Sequence, residues 1–282
     1  MTQYSVIIPA LNEEQGIRSV IDRLHALSPR PEVIVVDDGS SDHTGEIARE
    51  VGAIVLRHPA PGGYGRSLKD GIKIATNDIV AITDADGTYP VERLPEFVTT
   101  LEQGFDMVVG ARQGSHYRGS LLKMPARIVF KWLVEFTTGR SIPDINSGLR
   151  VFRKSEVSRY FDDLCNGFSF TTTITLIYML TGHFVHYVPI DYAKRVGRSK
   201  VRMIQDSLRT LQYITEVIAV YNPLKLYVLL SFFLSLFCIA SLLTSFLIIP
   251  GGAYLFLASM FLIGAVLVFG LGVQAHIRSR LL

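Results

Sequence analysis

"NDIVAITDAD", residues 77–86, sets an apolar run directly against two acids one residue apart. Ile79, Val80, Ala81 and Ile82 read as a buried strand, and a strand ending there delivers Asp84 and Asp86 to the C-terminal edge of a sheet. Open α/β sheets bind their ligands at that edge. A bare D-x-D pair is more often a solvated turn, so the strand in front of it is what makes these acids a candidate site.

Three further apolar runs flank that stretch: "YSVIIPA" (4–10), "EVIVVDD" (32–38) and "DMVVGAR" (106–112). Between the first two, residues 12–27 place Ile17, Val20, Ile21 and Leu24 on one helical face, with Asn12 as the expected N-cap. Strands alternating with helices at this spacing predict right-handed βαβ units and a mainly parallel, Rossmann-like α/β sheet. No internal repeat, low-complexity tract or long flexible linker interrupts it.

The 282 residues carry a net charge of +3, too little for bulk attraction to nucleic acid. Apolar residues concentrate at one end: from Leu226 to Ile277 there is no Asp, Glu, Lys or Arg. Pro250-Gly251-Gly252 splits this stretch into 226–249 and 253–273, each near the ~20 residues a helix needs to span a bilayer. The expectation is a transmembrane hairpin within 224–282, preceded by a 1–200 domain and a juxtamembrane helix over 201–223. Arg195, Arg198, Lys200, Arg202, Arg209 and Lys225 before the first span, and Arg278 and Arg280 after the second, favour the cytoplasm for both ends. "MTQYSVIIPALNEE" lacks the pattern of a signal peptide, which agrees with a cytosolic soluble part. Cys165 and Cys238 are too few for a disulfide framework or a cysteine zinc site. Residues 120–138 and 202–221 are basic and apolar-faced; each either packs on the domain or lies in the membrane plane, and the hairpin strengthens the second reading.

Taken in order, "VIIPALNEE", "VIVVDDGSSDHTG", "GYGRSLKDGI", "ITDADGTYP", "VVGAR", "NSGLRVFR" and "GRSK" resemble family 2 glycosyltransferases of GT-A fold. The trailing hairpin makes the chain most similar to the polyprenyl-phosphate glycosyltransferases, the group that includes dolichol-phosphate mannose synthase. The resemblance covers residues 4–200 and reaches the hairpin by topology only.

That resemblance implies a nucleotide-diphosphate sugar donor, a polyprenyl phosphate acceptor and Mg²⁺ or Mn²⁺ as cofactor. The chemistry agrees: a hard divalent cation bridging a pyrophosphate wants oxygen ligands, which Asp84 and Asp86 supply, and the cation neutralises the departing diphosphate. In the resembled synthases a glutamine two residues beyond the second acid also reaches the metal; here Thr88 stands there. The resemblance places the nucleotide sugar beside Pro9, Leu11, Glu13, Asp37, Asp38, Gly65 and the Asp84-Ala85-Asp86 turn. Asp37 and Asp38 have a second reading, as helix caps within "DDGSSD", and Gly62, Gly63 and Gly65 as an ordinary flexible loop.

A hydroxyl acceptor needs a carboxylate to take its proton, and hydroxyl-transferring relatives carry an acidic pair past the D-x-D. The corresponding stretch here, "GFSFTTTITL" (167–176), contains no acid. A phosphate is already an anion and needs positive charge instead, for which Arg112, Arg127, Arg150, Arg195, Arg198 and Lys200 are candidates; singly, each also reads as an ordinary surface cation. Ser147 of "NSGLR" either donates to that phosphate or is a turn residue before Gly148. His58, His116, His183 and His186 show no metal spacing and read as structural.

The expected protein is a membrane-anchored, inverting hexosyltransferase using a UDP- or GDP-sugar and undecaprenyl or dolichyl phosphate. Its partners would be the donor, the lipid phosphate and the bilayer; a homo-oligomer stays open and nucleic acid has no part. The alternatives are transfer to a lipid or polysaccharide hydroxyl, and a non-catalytic nucleotide-sugar-binding membrane scaffold.

Overall fold

The computed structural model describes residues 2–114, 124–193, 203–247 and 252–279. In chain order these form β1 (Ser5–Ala10), α1 (Ile17–His25), β2 (Glu32–Asp37), α2 (Thr44–Glu50), β3 (Ile54–Arg57), α3 (Tyr64–Ile74), β4 (Ile79–Ile82), α4 (Leu94–Glu102) and β5 (Met107–Gln113). There follow α5 (Met124–Thr138), β6 (Arg150–Arg153), α6 (Lys154–Val157), α7 (Phe170–Leu180), β7 (Val185–Asp191), α8 (Met203–Tyr221), α9 (Pro223–Leu247) and α10 (Gly252–Ser279). The chain divides into two compact units, Met1–Tyr213 and Ile214–Leu282, with the boundary inside α8.

In the first unit the strands form one sheet in the order β3-β2-β1-β4-β6-β5-β7. β6 runs antiparallel to both neighbours, and the remaining pairings are parallel. The four expected apolar runs are β1, β2, β4 and β5. The others carry weaker patterns: β3 is short with Ile54 exposed, β6 is bracketed by two arginines, and β7 contains Pro189, tolerated because β7 is the sheet's edge.

Side chains alternate across β1, so its two faces meet different helices. Val6 and Ile8 share a core with Ile17, Ile21 and Leu24 of α1 and Leu94, Phe97 and Leu101 of α4. Ile7 points the other way against α3, where a Cβ added to Gly71 would lie 2.4 Å from its side chain. α3 and α5 both pack on α7. Fully burying a side chain such as Val6 or Ile8 contributes roughly 1.5–3 kcal/mol, enough to lock the register of β1.

Asn12 does not cap α1, which begins behind Gly16. Its backbone is left-handed at φ 51°, its N–H donates to Ser40 Oγ at 2.9 Å, and its Oδ1 accepts from Ser41 N at 2.8 Å. The side chain expected at the helix instead ties the β1 edge to the loop after β2.

In the second unit, α9 and α10 each contain an 18-residue stretch with a mean hydropathy of 2.5 and are long and apolar enough to cross a membrane. They run past one another: Ser231 Oγ donates to the Ala265 carbonyl at 2.9 Å, and the Phe237 and Phe261 rings lie 5.6 Å apart. Gly272 sits so close to Tyr227 that a Cβ there would be 2.3 Å from the tyrosine's own. Phe232, Phe246, Phe256 and Leu267 are left exposed. Both helices extend beyond the expected spans, to Pro223 at one end and Ser279 at the other, while 248–249 of the expected first span and 250–251 of the expected break lie outside the described residues.

Candidate active site

The two acids stand where β4 stops. Thr83 N donates to Ile7 O at 3.2 Å, the last sheet-like bond before the chain turns through Asp84, Ala85 and Asp86. Tyr64, at the start of α3, donates its hydroxyl to Asp84 Oδ1 at 3.1 Å. Burial, then the Asp84 charge, push the Tyr64 phenol well above its ordinary pKa, so it stays a donor. Opposite, a Cβ on Gly148 would sit 2.9 Å from Asp84 Oδ1, so only glycine lets the loop before β6 approach this carboxylate. Gly148 N donates to Tyr89 Oη at 2.7 Å. Asp86 is buried, and its Oδ1 accepts from both Thr88 N (3.1 Å) and Thr88 Oγ1 (2.6 Å).

α1 braces the same turn from outside. Arg23 Nη2 donates to Tyr89 O at 3.0 Å, while its Nε meets Glu92 at 2.5 Å. Arg23 lies in none of the sequence motifs, and Tyr64 and Tyr89, though inside "GYGRSLKDGI" and "ITDADGTYP", gain their roles only through partners distant in the chain. Among the described residues no group of three or more His, Cys, Asp or Glu could hold a metal ion. Two carboxylates on one turn fit a hard divalent cation that takes its remaining ligands from diphosphate oxygens and water, as Mg²⁺ and Mn²⁺ do.

The acids after β2 are occupied. Asp37 is fully buried; its Oδ1 accepts from Ser40 N at 2.8 Å, and its Oδ2 lies 3.6 Å from Arg57 Nε. Asp37 thus closes a turn and caps no helix, since α2 begins only after His43. Asp38 accepts from Gly62 N at 2.8 Å and Gly63 N at 2.9 Å, with His58 Nδ1 at 2.7 Å. His58 thereby joins the two glycine N–H groups in holding Asp38. The glycine segment is equally committed: Gly65 N donates to Gly167 O at 3.1 Å and Arg66 N to Asn166 O at 3.0 Å. A Cβ on Gly65 would fall 2.2 Å from Cys165 O. These glycines thus allow α3 to dock on 165–167, which sets Tyr64 beside Asp84 and 6.0 Å from the half-exposed Phe168 ring. Pro9, Leu11 and Glu13 line the end of β1, half-buried, with Glu13 N bonded to Thr44 Oγ1 at 2.8 Å.

The expected cations do not converge in the same way. Arg112 makes a two-pronged pair with buried Asp144 (Nε to Oδ2 2.7 Å, Nη2 to Oδ1 2.9 Å), and its guanidinium lies 5.4 Å from the Tyr192 ring centre. Arg150 is not presented at the surface. Its side chain is fully buried and donates to Ser147 O (2.7 Å), Ile145 O (2.7 Å) and Thr175 Oγ1 (2.6 Å). Burial lowers its pKa from the usual arginine value. Its position holds the 145–149 loop against α7. Ser147 is also fully buried, accepting from Leu149 N at 3.4 Å, which is the turn-residue arrangement. Of Arg127 only the backbone, within α5, is described; Arg195, Arg198 and Lys200 lie outside the described residues. α5 exposes Ile128, Trp132 and Phe136 along one stripe, the last two rings stacked at 5.6 Å, while Leu133, Val134 and Thr137 are buried on the other side. Residues 120–123 of the expected helix lie outside the described set.

With this geometry, known proteins can be compared. The model of the family described as Glycosyl transferase family 2 matches residues 5–161, more than half of the chain. A dolichyl-phosphate hexose transferase of Haloferax volcanii is 30% identical over 208 residues, 71% of this chain and 90% of that protein. An undecaprenyl-phosphate 4-deoxy-4-formamido-L-arabinose transferase of Salmonella choleraesuis is 27% identical over 237 residues, covering 80% of this chain and 70% of that one. Among solved structures, glucosyl-3-phosphoglycerate synthase from Mycobacterium tuberculosis, in complex with Mn²⁺, UDP and glucosyl-3-phosphoglycerate, superposes with a TM-score of 0.57 at 25% identity over 77% of each chain. The same enzyme with Mg²⁺ and UDP gives 0.61 at 23% identity, covering 76% of this chain and 79% of that one, which supports the fold alone. Sheet, D-x-D turn and family match agree: the fold is GT-A, and this chain belongs to glycosyl transferase family 2.

Proposed function

We propose that the protein transfers a hexose from a UDP- or GDP-sugar to a polyprenyl phosphate at the cytosolic face of a membrane, inverting the anomeric centre from α to β. The observation that carries the acceptor assignment is the composition of the segment beside the site. Residues 165–176, which dock on α3 and bring Phe168 next to Tyr64, contain no Asp or Glu. A hydroxyl acceptor arriving there would find no base on that segment; a phosphate needs none. Both relatives compared by sequence are named for polyprenyl-phosphate acceptors, and the structural neighbour holds UDP with Mn²⁺.

In this reading Asp84 and Asp86 hold Mg²⁺ or Mn²⁺, which supplies charge neutralisation for the leaving diphosphate. Tyr64 and Thr88 orient the two carboxylates, and Arg23 stiffens the turn that carries them. The lipid phosphate oxygen attacks the anomeric carbon in line as the nucleoside diphosphate departs. Arg112, Arg127, Arg195, Arg198 and Lys200 would supply the positive field that draws in the lipid phosphate, with Arg112 held in place by Asp144. α9 and α10 would anchor the chain with both ends cytoplasmic, and the Ile128–Trp132–Phe136 stripe would lie at headgroup level. Catalysis then rests on positioning and electrostatics.

The test is transfer of radiolabel from a panel of nucleotide sugars into polyprenyl phosphate in detergent. Label should enter a lipid that releases it under mild acid, and chelation should stop the reaction. Label appearing in an acid-stable product would overturn the acceptor assignment.

A further inference from the structure

Two donors of one residue meet on a single oxygen of Asp86. Thr88 N lies 3.1 Å and Thr88 Oγ1 2.6 Å from Asp86 Oδ1, and both residues are nearly sealed from solvent, at 1% and 3% exposure. The hydroxyl proton of Thr88 is thereby spent on a carboxylate. The Thr88 carbonyl is used as well, accepting from Ala193 N at 3.0 Å just beyond the end of β7. Tyr192, the residue before Ala193, stands beside Thr88. Tyr192 in turn packs edge-on against Tyr89 at 5.2 Å and lies under the Arg112 guanidinium.

Thr88 is therefore a junction with a defined polarity. A threonine hydroxyl has one proton to give and lone pairs with which to receive. Given to Asp86, that proton pins the carboxylate in one rotamer, while the carbonyl ties the same residue to the far end of the sheet. A buried carboxylate that had to find its orientation at each binding event would lose affinity to that ordering; one already held does not.

We infer that Thr88 is a positioning residue for Asp86: its hydroxyl fixes the carboxylate for the divalent cation and does not itself serve as a third protein ligand. This rests on the proposed metal-dependent transfer. The cation's remaining positions then fall to the diphosphate and water, so cation and nucleotide bind interdependently. A hydroxyl occupied by a charge-assisted bond to Asp86 is a poor candidate for simultaneous ligation. The methyl group of Thr88 has no part in this, so serine suffices at the position and valine, of the same shape, does not.

The experiment is Mn²⁺ titration of the full-length protein in detergent, followed by loss of the free-ion paramagnetic resonance signal, with and without saturating UDP. Wild type is expected to bind Mn²⁺ more tightly with UDP than without it. Thr88→Val is expected to weaken Mn²⁺ binding in the presence of UDP by about tenfold, the scale of one lost charge-assisted hydrogen bond. Thr88→Ser should stay within about twofold of wild type, since the donor is kept. UDP binding without metal should be the same in all of them. Thr88→Ala, which adds no bulk, replaces the valine variant should that one not fold. Wild-type affinity in Thr88→Val or Thr88→Ala would overturn the inference, as would Thr88→Ser binding as weakly as Thr88→Val. A wild type that takes up no Mn²⁺ with either UDP or GDP would instead overturn the metal-dependent reading, and this inference with it; where GDP alone promotes uptake, the titrations of the variants are made with GDP.

Discussion

The acidic and the basic residues read from the sequence meet different fates. Asp84 and Asp86 stand at the end of β4, each oriented by a named donor, Tyr64 or Thr88. Arg150 begins in a comparable place, paired in register with Ile82 on the neighbouring strand, yet its side chain turns inward and binds Ser147 O, Ile145 O and Thr175. Arg112 is likewise claimed by Asp144. Reach explains the difference: an aspartate has one carbon between backbone and carboxylate, so a strand's geometry alone sets its location. An arginine guanidinium hangs on a long stem and goes to whichever acceptors the fold leaves unpaired.

The largest expected effect lies on the acidic side. Asp86→Asn should reduce transfer to assay background, and EDTA should do the same to wild type until Mg²⁺ or Mn²⁺ is restored; full initial rates in EDTA would remove the metal from the account. On the basic side the contrast predicts instability in place of an acceptor defect. Arg150→Met strands three acceptors in the interior and should cost on the order of 3 kcal/mol of stability, seen as a lower denaturation midpoint, with the folded fraction keeping its KM for lipid phosphate. A normal midpoint with a raised acceptor KM would break the comparison, because Arg150 would then behave as a phosphate contact.

Asp144→Asn sharpens the same point at smaller scale. It weakens the grip on Arg112 and should cost about 1.5–3 kcal/mol, the worth of a hydrogen bond to a charged group. Its turnover at saturating substrates should change only mildly; loss of turnover in folded protein would make Asp144 a candidate base and favour a hydroxyl acceptor. The smallest effect concerns α5. Trp132 is the chain's single tryptophan and is half-exposed, so its emission reports on this helix alone. In vesicles it should shift to the blue and be quenched by lipids brominated near the headgroup; emission unchanged from detergent-free water would place the stripe away from lipid.

The same reasoning explains which parts were legible in the sequence. β1, β2, β4 and β5 were, because each is a continuous apolar run that only a strand buried on both faces would carry. β3, β6 and β7 were not: their pairing depends on neighbours far along the chain, and Pro189 or flanking arginines mask the pattern. The apolar pair α9 and α10 stood out through the absence of charge over one long stretch. At the site, the D-x-D turn was visible, but its supports were not. Arg23 reaches Tyr89 and Glu92 from another helix, and Gly148 matters only because the loop before β6 passes so close to Asp84. Asn12 shows the converse error, in which a good capping residue is recruited by Ser40 and Ser41 across the sheet edge.

The central claim is that the acceptor arrives as an anion and needs no base. It is tested most directly by offering the purified protein one active nucleotide sugar with either a polyprenyl phosphate or the corresponding polyprenol, at equal concentration in the same detergent. The account predicts glycosylated lipid from the phosphate, saturating with lipid phosphate concentration, and none above background from the alcohol. Transfer to the polyprenol at a comparable rate would contradict it.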